Sequence, residues 1–191
     1  MSTTSGASGA VNGAMESLSG PGALAPLSLM MTGELAFGGI GSGLSSMLLV
    51  VLLTVFLAGL LVGRTPECVG RKLDVRTVKL VVIGTLAAPM LALGAAGLAT
   101  ASKFGRASIF DSGPQGFGET LYAYVSQTMN NGSAFAGYTG FLQPADAAQF
   151  GITFANVVGG LAMLFGRFLP LLAVLAIAGS LVGKRVTPAG A

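Results

Sequence analysis

The chain has 191 residues, of which only 9% are charged and 52% are hydrophobic, with 30 glycines and a mean hydropathy of +0.79. Ordinary soluble proteins carry roughly 25% charged residues, so this composition excludes a water-covered globule and fits a chain whose apolar side chains face lipid. A net charge of +3 is no nucleic-acid footprint, the lack of His removes the commonest general base, and the lone Cys68 excludes an internal disulfide. No signal peptide is expected, because the first basic residue is Arg64.

In chain order, a small polar stretch with glycines (Ser5–Asn12) comes first, followed by a long loop. Residues 35–63 are charge-free and open with the glycine-rich FGGIGSG of positions 37–43. A membrane-crossing helix needs about 20 apolar residues, and this stretch is longer. Its glycines disfavour continuous helix by up to about 1 kcal/mol each, so a broken span is expected. Residues 64–79 hold five basic residues, Arg64, Arg71, Lys72, Arg76 and Lys79. Residues 80–101 fit one straight span, and residues 102–118 connect onward with only Lys103 and Arg106. Residues 147–183 form the third apolar stretch, interrupted by Arg167 and bent, on this reading, at Gly159-Gly160, Gly166 and Pro170. Broken backbone at membrane depth is tolerated where it is buried in protein or lines a watery cavity, so the two broken spans suggest either a permeation path or glycine-rich packing faces. By the positive-inside rule, residues 64–79 and the tail after Lys184 are cytoplasmic and Asn131 is external; Cys68 is then a free thiol in a reducing compartment.

Between the second and third spans, residues 119–129 form a helix too short to cross a membrane, followed by Asn130-Asn131-Gly132-Ser133. A short helix, a polar loop and then a span is the layout of a re-entrant pore loop. The helix would turn its negative dipole end toward the tetrad, and extended backbone there could aim carbonyls at a cation. The same letters also fit a plain Asn-Asn-Gly turn or a glycosylation sequon, and both alternatives stay open. No Walker lysine, HExxH or GxSxG motif is present, and the seven acidic residues are dispersed, so no enzyme site is expected in this chain.

FGGIGSG (37–43), GRTPE (63–67), KLDVR (72–76), NNGSAFAG (130–137), GRF (166–168) and AIAGSL (176–181) together resemble the potassium-binding subunit of the bacterial Kdp-type potassium-transporting ATPase. The resemblance runs in the family's order along nearly all of the chain. It implies an all-α membrane protein of potassium channel-like pore-loop units, each a helix, a pore loop and a helix. The chain would correspond to roughly the last one and a half of four units, and is expected to be a fragment of a longer protein or a broken reading frame.

On that resemblance, residues 1–34 hold the third-unit filter and its re-entrant loop, residues 35–63 a broken transmembrane helix, 64–79 a cytoplasmic loop, 80–101 a transmembrane helix and 102–118 an external loop. Residues 119–133 then hold the pore helix and fourth-unit filter, 134–150 an external loop with an insertion at 142–149, 151–183 the helix with Arg167, and 184–191 a cytoplasmic tail. The filter residues are Ala7, Ser8 and Gly9 with Asn130, Asn131 and Gly132. Gly39, Gly41 and Gly43 form a coil below the filter. Arg167 lies below it as a fixed charge, with Glu34 as its expected partner. Arg64 and Arg71 lie in the loop expected to meet another subunit.

The implied function is potassium binding and transfer to a separate catalytic P-type subunit, in a bacterial inner-membrane complex with small accessory subunits. Membrane lipid is the other partner and nucleic acid is not one. Potassium is the only metal, as transported ligand, and no cofactor is expected. An ATP-independent channel or carrier of the same superfamily and a non-conducting scaffold are the alternatives.

Overall fold

The computed structural model describes residues 2–35, 38–39, 42–146 and 151–184. Among these residues nine helices and strands follow in order: α1 (Ser2–Ser5), α2 (Gly20–Met31), α3 (Gly43–Val62), the strands β1 (Glu67–Cys68) and β2 (Arg71–Lys72), α4 (Val75–Ala101), α5 (Lys103–Arg106), α6 (Gly113–Thr128) and α7 (Phe154–Val182). A single 3₁₀ turn, Met15–Ser17, precedes α2. Among the described residues the protein is mostly helical, and α3, α4 and α7 are long and apolar enough to cross a membrane.

Local chemistry sets the helix ends. Gly63 closes α3 in the left-handed region at φ 72°, so that its N–H and that of Arg64 return to the carbonyls of Leu60 and Gly59. Asp74 caps α4 by accepting from the Thr77 N–H at 3.0 Å. Thr153 caps α7, accepting from Asn156 N–H at 3.1 Å and donating to the Gly140 carbonyl at 2.6 Å. Pro21 opens α2, where its missing N–H costs nothing.

The three long helices pack mainly through small residues, as expected where lipid offers no hydrophobic drive between helices. A Cβ on Gly84 of α4 would lie 2.9 Å from the Ala173 Cβ of α7 and 3.0 Å from Leu49 of α3, so the three helices meet there at close range. Gly159 and Gly166, two turns apart on α7, lie against Gln127 and Thr128 at the end of α6. Outward faces are apolar and bare: Leu61, Met90 and Leu175 are exposed, and only 11% of the most apolar α3 window is buried. A lipid environment accounts for this pattern, since in water such surface would be a liability.

Several boundaries differ from those read in the sequence. α3 starts at Gly43, and the glycine-rich approach holds Gly38 at φ 57° with Gly43 packed on its backbone. α4 starts at Val75, taking in Arg76 and Lys79. α6 starts at Gly113. α7 is helix without a non-helical break through Gly159-Gly160 and Pro170. At 1.5 Å per residue its 29 residues reach about 43 Å, more than the roughly 30 Å hydrocarbon core, so tilt or protrusion takes up the excess.

Candidate functional site

The loop after α1 and the loop after α6 are built alike. Ala7 and Asn130 both have left-handed backbone, at φ 46° and 58°, and two residues later Gly9 and Gly132 repeat it at 69° and 95°. Each helix end is tightened in the same way: Ala7 N–H donates to Thr4 O at 3.2 Å, and Asn130 N–H donates to Gln127 O at 2.9 Å. Left-handed backbone recurs at every second residue in both loops, and glycine accepts this conformation without a Cβ penalty.

The two loops touch although 123 positions separate Gly9 from Gly132. A Cβ on Gly9 would lie 3.0 Å from the carbonyl oxygen of Asn131, and one on Gly132 would lie 3.7 Å from the Gly9 Cα. The structure therefore brings Ala7, Ser8 and Gly9 beside Asn130, Asn131 and Gly132, backbone to backbone.

Buried side chains hold this contact. Asn131, 4% exposed, donates from Nδ2 to Thr4 O and to Glu34 Oε1, each at 2.7 Å. Its Oδ1 accepts from the Ser133 N–H at 3.2 Å and the Ser133 hydroxyl at 2.8 Å. Ser133 Oγ lies 3.0 Å from the Tyr122 hydroxyl, and Ser126 Oγ accepts from the Gly132 N–H at 3.0 Å. Asn130 donates to the carbonyls of Thr128 and Met163, which pins its loop to α7. Ser133 belongs to the tetrad marked in the sequence, whereas Thr4, Tyr122 and Ser126 were not singled out; polar residues recurring in a short, mildly apolar helix were the available signal for the last two.

Below the loops is a cavity of about 370 Å³, walled by Glu34, Ser42, Ser46, Asn130, Arg167 and Pro170 among others. Glu34 is 1% exposed and has backbone φ 53°; it lies within electrostatic reach of Arg167. Gly39 is buried beneath Ala7, where a Cβ would come within 2.6 Å of the Ala7 Cβ and 3.2 Å of Glu34 Oε2. Gly43 starts α3 nearby, and Gly41 lies outside the described residues, as does part of the 142–149 insertion.

Arg64 and Arg71 sit at the opposite end of the helices. Arg64 is exposed, while Arg71 donates to the Leu181 carbonyl and ties β2 to the end of α7. The neighbouring Lys184 forms an ion pair with Asp74 at 2.7 Å. Its hydrogen bonds, with those from Thr77, hold the Asp74 carboxyl well below the usual carboxylate range.

The chain matches the family described as potassium-transporting ATPase A subunit over residues 1–191. It is 48% identical over 187 residues to the potassium-transporting ATPase potassium-binding subunit of Klebsiella pneumoniae, covering 98% of this chain and 32% of that protein. It is 47% identical over 190 residues to the subunit of the same name from Rhodospirillum centenum, covering all of this chain and 31% of that protein. The chain thus spans about a third of the length of the curated relatives it matches.

Proposed function

We propose a function from membership: this chain belongs to the potassium-transporting ATPase A subunit family. We propose that it contributes two adjacent filter segments, residues 7–9 and 130–132, to the potassium-binding subunit of an ATP-driven uptake complex in a bacterial inner membrane. The observation that carries the reading is the pair of loops with matched left-handed residues, stacked backbone to backbone. Carbonyls turned to one side can replace the hydration shell of a monovalent cation. In this reading α6 and α1 are pore helices, or the end of one, whose carbonyl ends face the ion. The pore-loop layout, the external placement of both loops and the cytoplasmic placement of the β1–β2 hairpin follow from the same reading.

Three features complete the path. The cavity under the loops receives the ion. Glu34 and Arg167 set its charge, and the positive Arg167 opposes straight passage to the cytoplasm, diverting the ion sideways toward the catalytic P-type subunit. Arg64 and the basic face of residues 64–79 are the surface that meets that subunit, with small accessory subunits elsewhere on the complex. The chain offers no nucleotide-binding motif of its own, which suits a non-catalytic subunit.

The test is Gly132→Asp in the complete protein, assembled with its ATPase subunits. Potassium affinity falls at least about tenfold, a difference of about 1.4 kcal/mol, or discrimination against sodium is lost. Unchanged affinity together with unchanged ion preference refutes the filter assignment.

A further inference from the structure

Away from the loop contact, three carboxylates that the sequence scatters over more than a hundred positions converge at the N-terminal side of α6. Glu16 comes from the 3₁₀ turn, Asp111 from the connector before α6, and Glu119 from the second turn of α6; one oxygen of each lies within 4.8 Å of the others. The arrangement is built into the fold. Glu16 Oε2 accepts from the Gly137 N–H at 3.2 Å. Gln115 Nε2 donates to both Glu16 Oε1, at 3.2 Å, and Glu119 Oε1, at 3.4 Å. Glu119 is 1% exposed, and its Oε2 is buried without a hydrogen-bond partner. That oxygen rests on Gly137, where a Cβ would come within 2.5 Å of it.

The charged groups acting on Glu119 are both acidic: Asp111, from the connector, and Glu16, from the 3₁₀ turn. Gln115 supplies only a neutral amide, shared between two carboxylates. Three full negative charges so close, one of them buried, repel strongly; one proton held between Glu119 and Asp111 removes a charge and gives the orphaned oxygen a hydrogen bond.

We propose that Glu16, Asp111 and Glu119 form a proton-sharing latch that clamps the loop before α2 and the segment around Gly137 onto α6, and that loosens when its proton is lost to the medium. Burial, then the hydrogen bond that protonated Glu119 donates to Asp111, then the Glu16 charge, push the Glu119 carboxyl up to about 7. A raised carboxyl stabilises through its protonated form. The stabilisation is complete below the ordinary carboxylate value and disappears as pH rises through about 7. The latch is independent of the filter reading, because it concerns how two loops are held on α6 and not what passes between them.

Hydrogen exchange at the Gly137 amide, which Glu16 accepts, reads the latch directly. In the assembled complex carrying this chain, exchange over residues 132–140, corrected for intrinsic rate, accelerates about tenfold between about pH 6 and pH 8. Glu119→Gln, which stands in for the protonated form, removes the pH dependence and keeps the slow rate. Asp111→Asn, at an exposed position that folding tolerates, moves the transition to lower pH. Corrected exchange that is flat with pH in the unmodified chain, or a transition that Asp111→Asn leaves in place, overturns the proposal. So does recovery of slow exchange at pH 8 on adding calcium ions alone, which would make the cluster a divalent-cation site instead.

Discussion

Asn131 donates a 2.7 Å hydrogen bond to Glu34 across 97 positions, and the same amide nitrogen donates to Thr4. One buried side chain thus joins the end of α1, the loop after α6 and the approach to α3. Replacing it tests how much of the loop contact depends on side chains, since the backbone stacking of Gly9 on Gly132 would otherwise remain.

Asn131→Ala leaves the Glu34 carboxylate and the Thr4 carbonyl buried without this donor. An unsatisfied buried group costs about 1–3 kcal/mol, more when charged. The expected result is a lower unfolding midpoint of the assembled complex by thermal scan, together with weakened ion discrimination. Asn131→Asp destabilises further, because it sets a second carboxylate against Glu34. Equal midpoints for the native chain and Asn131→Ala would show that the amide carries no such weight.

Gly9→Ala is expected to be more damaging than Gly13→Ala. At Gly9 the backbone sits at φ 69°, and a Cβ would crowd the Asn131 carbonyl at 3.0 Å; at Gly13 a Cβ meets nothing within 4 Å. Holding a non-glycine residue in left-handed backbone costs on the order of 1–3 kcal/mol, before the crowding is counted. Potassium binding by calorimetry on the complete subunit compares the two variants; equal affinity would mean that the loop yields freely.

The membrane class and the three spans were legible because lipid-facing helices are written in composition. Their ends were less so. α4 begins five residues before the apolar run that marks it, because Asp74 nucleates the helix through charged residues that a hydropathy reading excludes. α2 was hidden by Gly20, Pro21, Gly22 and Pro26, which read as breakers although Pro at the first turn favours helix. The β1–β2 hairpin turns through Val69 and Gly70, at φ 50° and 70°, a two-residue turn in a sequence without strand alternation. The loops at 7–9 and 130–132 could be marked in the sequence, but their mutual contact is tertiary. The acidic cluster was invisible for the same reason: Glu16, Asp111 and Glu119 look dispersed until α6 and the 3₁₀ turn are packed together.

Asp74 stabilises the junction between the start of α4 and the end of α7 by capping and by its pair with Lys184. Asp74→Ala removes both, and loss of an N-cap typically costs about 0.5–2 kcal/mol. The carboxyl is held below its ordinary value, so its contribution is present above that value and is lost as pH falls through the lowered one. The expected outcome is an acid-induced loss of stability that is shallower in Asp74→Asn than in the native chain. Identical acid limbs in unfolding scans would show that the pair contributes nothing.

On the proposed function, Arg167 gives the most direct test of how an ion would be kept from running straight through. It stands sixteen residues before Gly183, near the middle of α7, and it lines the cavity beneath both loops with Glu34. An arginine at the centre of a span costs roughly 2.5–3.5 kcal/mol on insertion scales, so its place is held by the cavity and by the charge it faces. A fixed positive charge there raises the energy of a cation passing downward, since in a cavity walled by protein the repulsion is only partly screened. Two roles are open to it: a barrier, or a structural tie between the approach to α3 and α7. Arg167→Gln in the assembled complex separates them. A barrier role gives raised ATP-independent potassium leak into vesicles while assembly and unfolding midpoint hold. A purely structural role gives unchanged leak per assembled complex and a lowered midpoint. Arg167→Lys, which keeps the charge but not the planar fork, should restore tightness in the first case and only part of the stability in the second.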